Sequence, residues 1–250
     1  MLKQYRLKNY HFQLVVYIIA LSIIGILLIG SAKHSVQSKQ IIGFVMGLTI
    51  MIVLSLIDYT FLLKFVWIYY AGMIVLLLLV LFAGDDAKGA QRWFEIGGFR
   101  FQPSELAKIL IILFFAYFFM KHEEKINTPK VLITSFILAG IPLALILKQP
   151  DLSTTIVTAL IFAALLFVAG LSYKIVTGVL AVSIPSAVIL FTLLIQDKLP
   201  FIKSYQVTRV MAWLYPDDYP QASMQSRYSM YAIGFGGILG RGLGRGTMKY

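Results

Sequence analysis

The sequence predicts an all-α fold, a polytopic transmembrane helical bundle of about seven to eight helices in this chain, on three observations. Apolar residues make up 59% of the 250 residues. Only 13% are charged, against about 25% in an ordinary soluble domain. The apolar residues also fall in long runs, separated by short polar or basic segments. A soluble chain this apolar could not cover its surface with polar groups, and a bilayer removes that requirement.

A helix needs about 20 mostly apolar residues to cross the hydrocarbon. By that measure spans run roughly over Phe12–Gly30, Ile41–Ile57, Phe65–Ala83, Leu106–Met120, Val131–Leu147, Leu152–Gly170 and Ile175–Ile195. The first run is too long for a signal-peptide core and no small-x-small cleavage site follows it, so it reads as a retained helix. The valines and isoleucines of Ile175–Ile195 would favour a strand in water, but lipid requires every backbone polar group to be satisfied within the segment, which selects a helix. An eighth span begins near Ser229, and the chain stops inside it or just after. No internal repeat, heptad or low-complexity linker divides residues 1–250, which read as one domain.

Composition excludes several functions. Without cysteine there is no disulfide framework, thiolate zinc site or cysteine nucleophile. The histidines, His11, His34 and His122, are scattered, so no histidine metal site is expected. The formal charge of +11 lies between apolar spans, which favours anionic lipid head groups over nucleic acid as partners.

The connections fall into two sets. The N-terminal tail, Asp58–Lys64, Lys121–Lys130 and Leu171–Lys174 are short; the other set holds the long loops Gly84–Gln102 and Asp197–Tyr228. The short set is denser in Lys and Arg, so the positive-inside rule places it, with the N-terminus, in the cytoplasm and the long loops outside.

Three polar stretches fall on that outer side. GAQRWFEIGGFRFQPSELAK, Gly89–Lys108, packs Arg92, Trp93, Glu95, Arg100, Glu105 and Lys108 into one short region. Gly97–Gly98 reads as a turn, and Pro103–Ser104 as a helix start with Ser104 at the N-cap. Glu105 and Lys108 are then three apart on one helical face. Lys108 lies about one turn into an apolar span, where a charge is costly unless paired or hydrated. The region is either a structural ion pair with an interfacial anchor or the lining of a hydrated substrate cavity. In KQPDLSTT, Lys148–Thr155, Pro150 ends one helix and Asp151 opens the next, as a capping carboxylate or as part of a polar groove with Ser153, Thr154 and Thr155.

The third stretch, Tyr205–Gly246, joins a long amphipathic loop to a glycine-rich helix start. Asp217 and Asp218 are adjacent acids among aromatic residues, a solvated turn or a general base whose pKa its neighbour raises. GFGGILG, Gly234–Gly240, superficially matches a dinucleotide-binding run, but no strand precedes it, and close helix packing through small residues explains it better.

Together these segments resemble the SEDS family, the RodA/FtsW proteins of bacterial shape, elongation, division and sporulation, over nearly the whole chain. GAQRWFEIGGFRFQPSELAK is similar to the family's most recognisable stretch. KQPDLSTT resembles its Q/E-P-D-x-G-T segment, with Ser153 where glycine is usual, and KQPD leans toward the RodA-like side. SMYAIGFGGILGRGLGRG resembles its Q-S-x-x-A-I-G-x-G-G-x-x-G-x-G-x-G run, with Tyr228 in place of glutamine. The family's catalytic aspartate lies in the last long loop, followed by Pro and Gly-Tyr-Gln, a triplet this chain lacks. Counting back from Ala232-Ile233-Gly234 places it on Asp218; counting forward from Arg209-Val210 places it one residue later, so Asp218 is the assignment and Asp217 the reserve. The family runs to about ten helices with a Pro-Glu-x-His-Thr-Asp-Phe segment downstream, so this chain looks like a C-terminally incomplete copy.

The resemblance implies a bacterial cytoplasmic-membrane glycosyltransferase that polymerises lipid II, an undecaprenyl-pyrophosphate disaccharide-pentapeptide, beside a class B penicillin-binding protein. It places Glu105, Lys108 and Asp151 in a polar cavity. Arg92, Arg100, Lys108 and Arg209 are the cations for the leaving pyrophosphate, to which a divalent cation, Mg or Mn, would be an optional aid. A lipid II flippase and a non-catalytic scaffold for the penicillin-binding protein are the rival functions.

Overall fold

The structure, a computed structural model, describes residues 11–87, 90–97, 99–196 and 204–246. In chain order the helices and strands are α1 (Phe12–Ala32), α2 (His34–Ser55), α3 (Tyr59–Leu63), α4 (Val66–Ala83), β1 (Asp85–Ala87), β2 (Ala90–Ile96), β3 (Phe99–Phe101), α5 (Pro103–Lys121), α6 (Pro129–Lys148), α7 (Leu152–Val168), α8 (Tyr173–Ile195), α9 (Ser204–Leu214) and α10 (Pro220–Gly236). Among the described residues, α1, α2, α4, α5, α6 and α8 are long and apolar enough to cross a membrane, and α7 is a shorter apolar helix. These seven match the seven runs read from the sequence. The β-branched run of α8 is helical throughout, as the absence of backbone partners in lipid requires.

Three boundaries differ from the sequence reading. First, α2 begins at His34, because only the extended Lys33 separates it from α1. Second, the segment around Ser229 is already helical from Pro220, whose fixed φ suits a first helical turn, and that helix ends at Gly236. Third, the loop before α5 is a three-stranded antiparallel sheet in the order β1-β2-β3. In it Phe94 faces Phe101, Glu95 faces Arg100 and Ile96 faces Phe99. Gly97 turns the β2–β3 hairpin with φ +58, a conformation that glycine adopts without strain.

Two compact units emerge. The first, Leu56–Val179, is built on α5. Its Phe114, Phe115, Phe118 and Phe119 are buried, and they pack on Tyr70, Met73 and Leu77 of α4, on Phe162 and Leu166 of α7 and on Val131, Ala139 and Ile146 of α6. Phe114 lies 4.4 Å from Tyr70 and Phe115 4.8 Å from Phe162, centroid to centroid. Tyr70 carries its hydroxyl into this apolar layer and donates it to the Leu138 carbonyl at 2.8 Å. Lipid tails are as apolar as these rings, so close packing rather than water exclusion holds the helices together.

The two ends of this unit differ. At one, the chain enters α5 and α7 beside the sheet. At the other, Asn127 bridges the turn after α7, donating to the Gly170 carbonyl at 3.1 Å and accepting from the Ser172 N–H at 2.7 Å.

The second unit holds residues 11–55 and 180–246. There α1 and α2 form an antiparallel pair, α9 packs on α10, and the Gly244 N–H donates to Ser31 Oγ at 2.8 Å.

Candidate active site

The first cluster grows from the break between α6 and α7. Pro150 cannot continue α6, and Asp151 then caps α7. Asp151 Oδ1 accepts from the Thr154 N–H and the Ser153 hydroxyl, each at 3.1 Å. Oδ2 accepts from Gln102 Nε2 at 3.0 Å and lies 3.4 Å from Arg92 Nη1. Gln102 also donates to Ser104 Oγ at 2.9 Å. One carboxylate therefore ties together strand β2, the start of α5 and the start of α7.

Asp151 is 4% exposed. Burial alone would raise its pKa; the hydrogen bonds from Thr154 and Ser153 and the charge of Arg92 outweigh burial and hold the carboxyl below its ordinary value. It is a fixed anion with its oxygens occupied, suited to holding a cation in place and unsuited to taking a proton. Arg92, in contrast, is 30% exposed, and its buried Nε–H has no partner among the described residues. The exposed part of this side chain can meet an acceptor such as a phosphate oxygen. Gln149, fully buried, donates to the Leu77 carbonyl at 3.2 Å, and its own Oε1 has no partner among the described residues.

Two other ion pairs of this unit are more open. Lys108 Nζ meets Glu105 Oε1 at 2.9 Å, the pairing expected from their spacing. Glu105 is the more exposed partner, so the lysine is the member drawn toward the helix surface. Arg100 and Glu95 oppose each other across the hairpin at 3.9 Å, both largely exposed. Exposed pairs of this kind contribute little to stability.

Asp217, Asp218 and Arg209 belong to the second unit. A tight turn after α9 carries both acids, with the Asp218 N–H donating to the Tyr215 carbonyl at 3.2 Å. Ser223, 2% exposed on α10, donates its hydroxyl to the Pro216 carbonyl at 2.8 Å and holds the turn against the helix. The two acids are not equivalent. Asp217 Oδ1 is bound by Arg227 Nη1 at 2.9 Å. The Asp218 side chain is exposed and makes no hydrogen bond or ion pair among the described residues. Arg209 is exposed on α9.

The structure thus brings Arg92 and Asp151 together, with Arg100, Glu105 and Lys108 on the adjoining sheet and α5. It adds Gln102, Gln149, Ser223 and Arg227, which the sequence reading passed over. Ser104 is corrected: it is not the N-cap but a fully buried residue of the first turn of α5, where it accepts from Gln102, which occupies the cap position. The glycines of the last stretch are corrected too. Among the described residues a Cβ at Gly234, Gly236, Gly237 or Gly240 would touch nothing within 4 Å, so close packing within them does not account for these glycines. Gly237, Gly240, Gly242 and Gly244 instead have positive φ, and their conformation needs glycine.

Among the described residues no three His, Asp or Glu side chains converge to hold a metal ion. Asp151 is filled by donors and Arg92, and Asp217 by Arg227, so neither is disposed to bind one.

Residues 5–250 match the sequence profile of the family described as cell cycle protein, which spans FtsW, RodA and SpoVE. The chain is 32% identical to a probable peptidoglycan glycosyltransferase FtsW of Geobacter metallireducens, covering 97% of this chain and 66% of that one. It is 35% identical to the peptidoglycan glycosyltransferase MrdB of Escherichia coli, covering 93% and 62%. A chain in a solved peptidoglycan synthase complex, described for its coordination of polymerization and crosslinking, superposes with TM-score 0.72 and 30% identity over 92% of this chain and 67% of that one. The chain spans about two thirds of the length of the first curated relatives it matches. Matched along nearly its whole length and built of apolar membrane-crossing helices, this chain belongs to the FtsW/RodA/SpoVE family of multi-pass membrane proteins.

Proposed function

We propose that the chain is a peptidoglycan glycosyltransferase that polymerises lipid II at the outer face of the bacterial cytoplasmic membrane. The carrying observation is the Arg92 guanidinium, 30% exposed and held at 3.4 Å by an ionised, fully occupied Asp151. That is the arrangement a pyrophosphate site needs: a cation preorganised so that no reorientation is required as charge builds on the leaving group. Names of the relatives support the same reading.

In this reading the Asp218 carboxylate takes the proton of an acceptor sugar hydroxyl. The freed oxygen attacks the anomeric carbon of the donor sugar and forms the new glycosidic bond. The bond from that carbon to the lipid pyrophosphate breaks, and the pyrophosphate leaves with the electron pair, inverting the anomeric centre. Arg92 meets that charge; Lys108, Arg100 and Arg209 are further cations of the same outer side. Asp151 acts through Arg92 as a positioning residue, and a divalent cation, Mg or Mn, would be an optional aid to the leaving pyrophosphate. The N-terminus is cytoplasmic, and a single-pass class B penicillin-binding protein is the partner that cross-links the product.

The purified protein with that partner, supplied with lipid II, is expected to yield glycan strands resolved on a gel. A flippase or scaffold would make none, and absence of polymer from a folded complex rejects the enzyme reading.

A further inference from the structure

A groove opens between the last turns of α5 and α7, at the end of the first unit away from Asp151. It encloses about 300 Å³ between Ala116, Phe119 and Met120 of α5 and Leu165, Val168 and Ala169 beyond. Glu123 stands at its rim. A second cavity of about 490 Å³ adjoins it, sharing Met120 and Glu123 and adding Lys121, His122, Glu124 and Lys125. The two lysines and two glutamates are exposed, and among the described residues they form no ion pair with one another or with any other group. An apolar trough thus runs into four unneutralised charges that sum to zero, where a membrane-crossing helix ends.

We propose that these joined cavities bind one phospholipid with a zwitterionic ethanolamine head group. An acyl chain lies in the groove, the phosphate meets Lys121 and Lys125, and the ammonium meets Glu123 and Glu124. The tail alone cannot select a lipid, because bulk lipid offers it the same apolar surroundings. Selection rests on the head group. An anionic head group would gain the lysines but face two carboxylates, whereas the zwitterion pairs with both signs. A primary ammonium donates hydrogen bonds to carboxylates; a quaternary one needs an aromatic cage, and no Trp, Tyr or Phe lines this cavity. The site therefore differs from the rest of this basic chain, whose net charge of +11 draws anionic lipid without positional choice.

The test uses the full chain in nanodiscs of equal phosphatidylethanolamine and phosphatidylglycerol, with the lipids retained after delipidation identified by native mass spectrometry. The ethanolamine lipid is expected to be retained about threefold over the glycerol lipid, the scale set by exposed charge pairs. Glu123→Gln combined with Glu124→Gln leaves only the lysines and is expected to reverse the preference. Ala116 is exposed, so Ala116→Phe fills the groove without entering the core and is expected to abolish selective retention. Equal retention of both lipids by the parent protein, an unchanged preference in the double variant, or retention unaltered by Ala116→Phe would each overturn the proposal.

Discussion

Asp218→Asn is expected to lower the rate of glycan polymerisation more than 100-fold while leaving membrane insertion and folding normal. Asparagine keeps the size and polarity of the side chain but cannot accept the acceptor's proton, and positioned general bases contribute about 10²–10⁴-fold. The folded state should not notice the change, because this side chain is exposed and makes no hydrogen bond or ion pair among the described residues. Its neighbour provides the internal comparison. Asp217 already spends its Oδ1 on Arg227, 2.9 Å away, so it is less available to meet an acceptor hydroxyl. Asp217→Asn is therefore expected to cost much less than Asp218→Asn. Lipid II turnover followed on gels, with protein recovered from the membrane fraction as the control, measures both. Near-normal polymerisation by Asp218→Asn rejects the base assignment, and loss confined to Asp217→Asn transfers it to the neighbour.

Asp151→Ala should be the most damaging change for the fold around the site. Removing one partner of a buried ion pair costs about 3–5 kcal/mol because the other charge is left unpaired. Arg92 is 30% exposed, so solvent relieves part of that and about 2–3 kcal/mol is expected here. Gln102 loses an acceptor and α7 loses its cap in the same step. Asp151→Asn keeps a hydrogen-bonding cap without the charge and should be milder in thermal unfolding. In turnover it should lower kcat more than it raises the KM for lipid II, because Arg92 is then held less firmly where charge builds on the leaving group. The pH dependence has a definite sign. The Asp151 carboxyl sits below its ordinary range, so the stability it lends is fully present above about pH 4 and is lost as pH falls through the depressed value. The parent protein should lose stability in that acid window and the Asp151→Asn variant should lose less.

How far the sequence reveals this arrangement depends on the range of the interaction. Helix α8 is legible despite its valines and isoleucines, because span length and the lack of water decide its backbone. The β2–β3 hairpin was equally local: Ile96-Gly97-Gly98-Phe99 between alternating aromatic and charged residues is a hairpin signal, and reading Gly97–Gly98 only as a turn missed the strands on either side. The Glu105–Lys108 pair follows from helical spacing alone. Gln102 was not legible, because its partner Asp151 is 49 positions away and is brought to it by the packing of α5 against α7. The same holds for Arg227, which reaches back from α10 over ten positions to Asp217 and so separates two acids that look alike in sequence. Aspartates at a helix start and in a turn carry no local sign of which one will be filled by a guanidinium.

All of this chemistry requires the sheet before α5 and the Asp217–Asp218 turn to face one compartment. The chain has no cysteine, so single cysteines can report on it without background. Arg100→Cys on β3 and Asp217→Cys are both at exposed positions, and Lys125→Cys lies just beyond the other end of α5. A membrane-impermeant maleimide added to intact cells should label the Arg100 and Asp217 positions and spare Lys125 until the membrane is opened. Labelling of the Arg100 and Asp217 positions from opposite sides of the membrane would contradict the account.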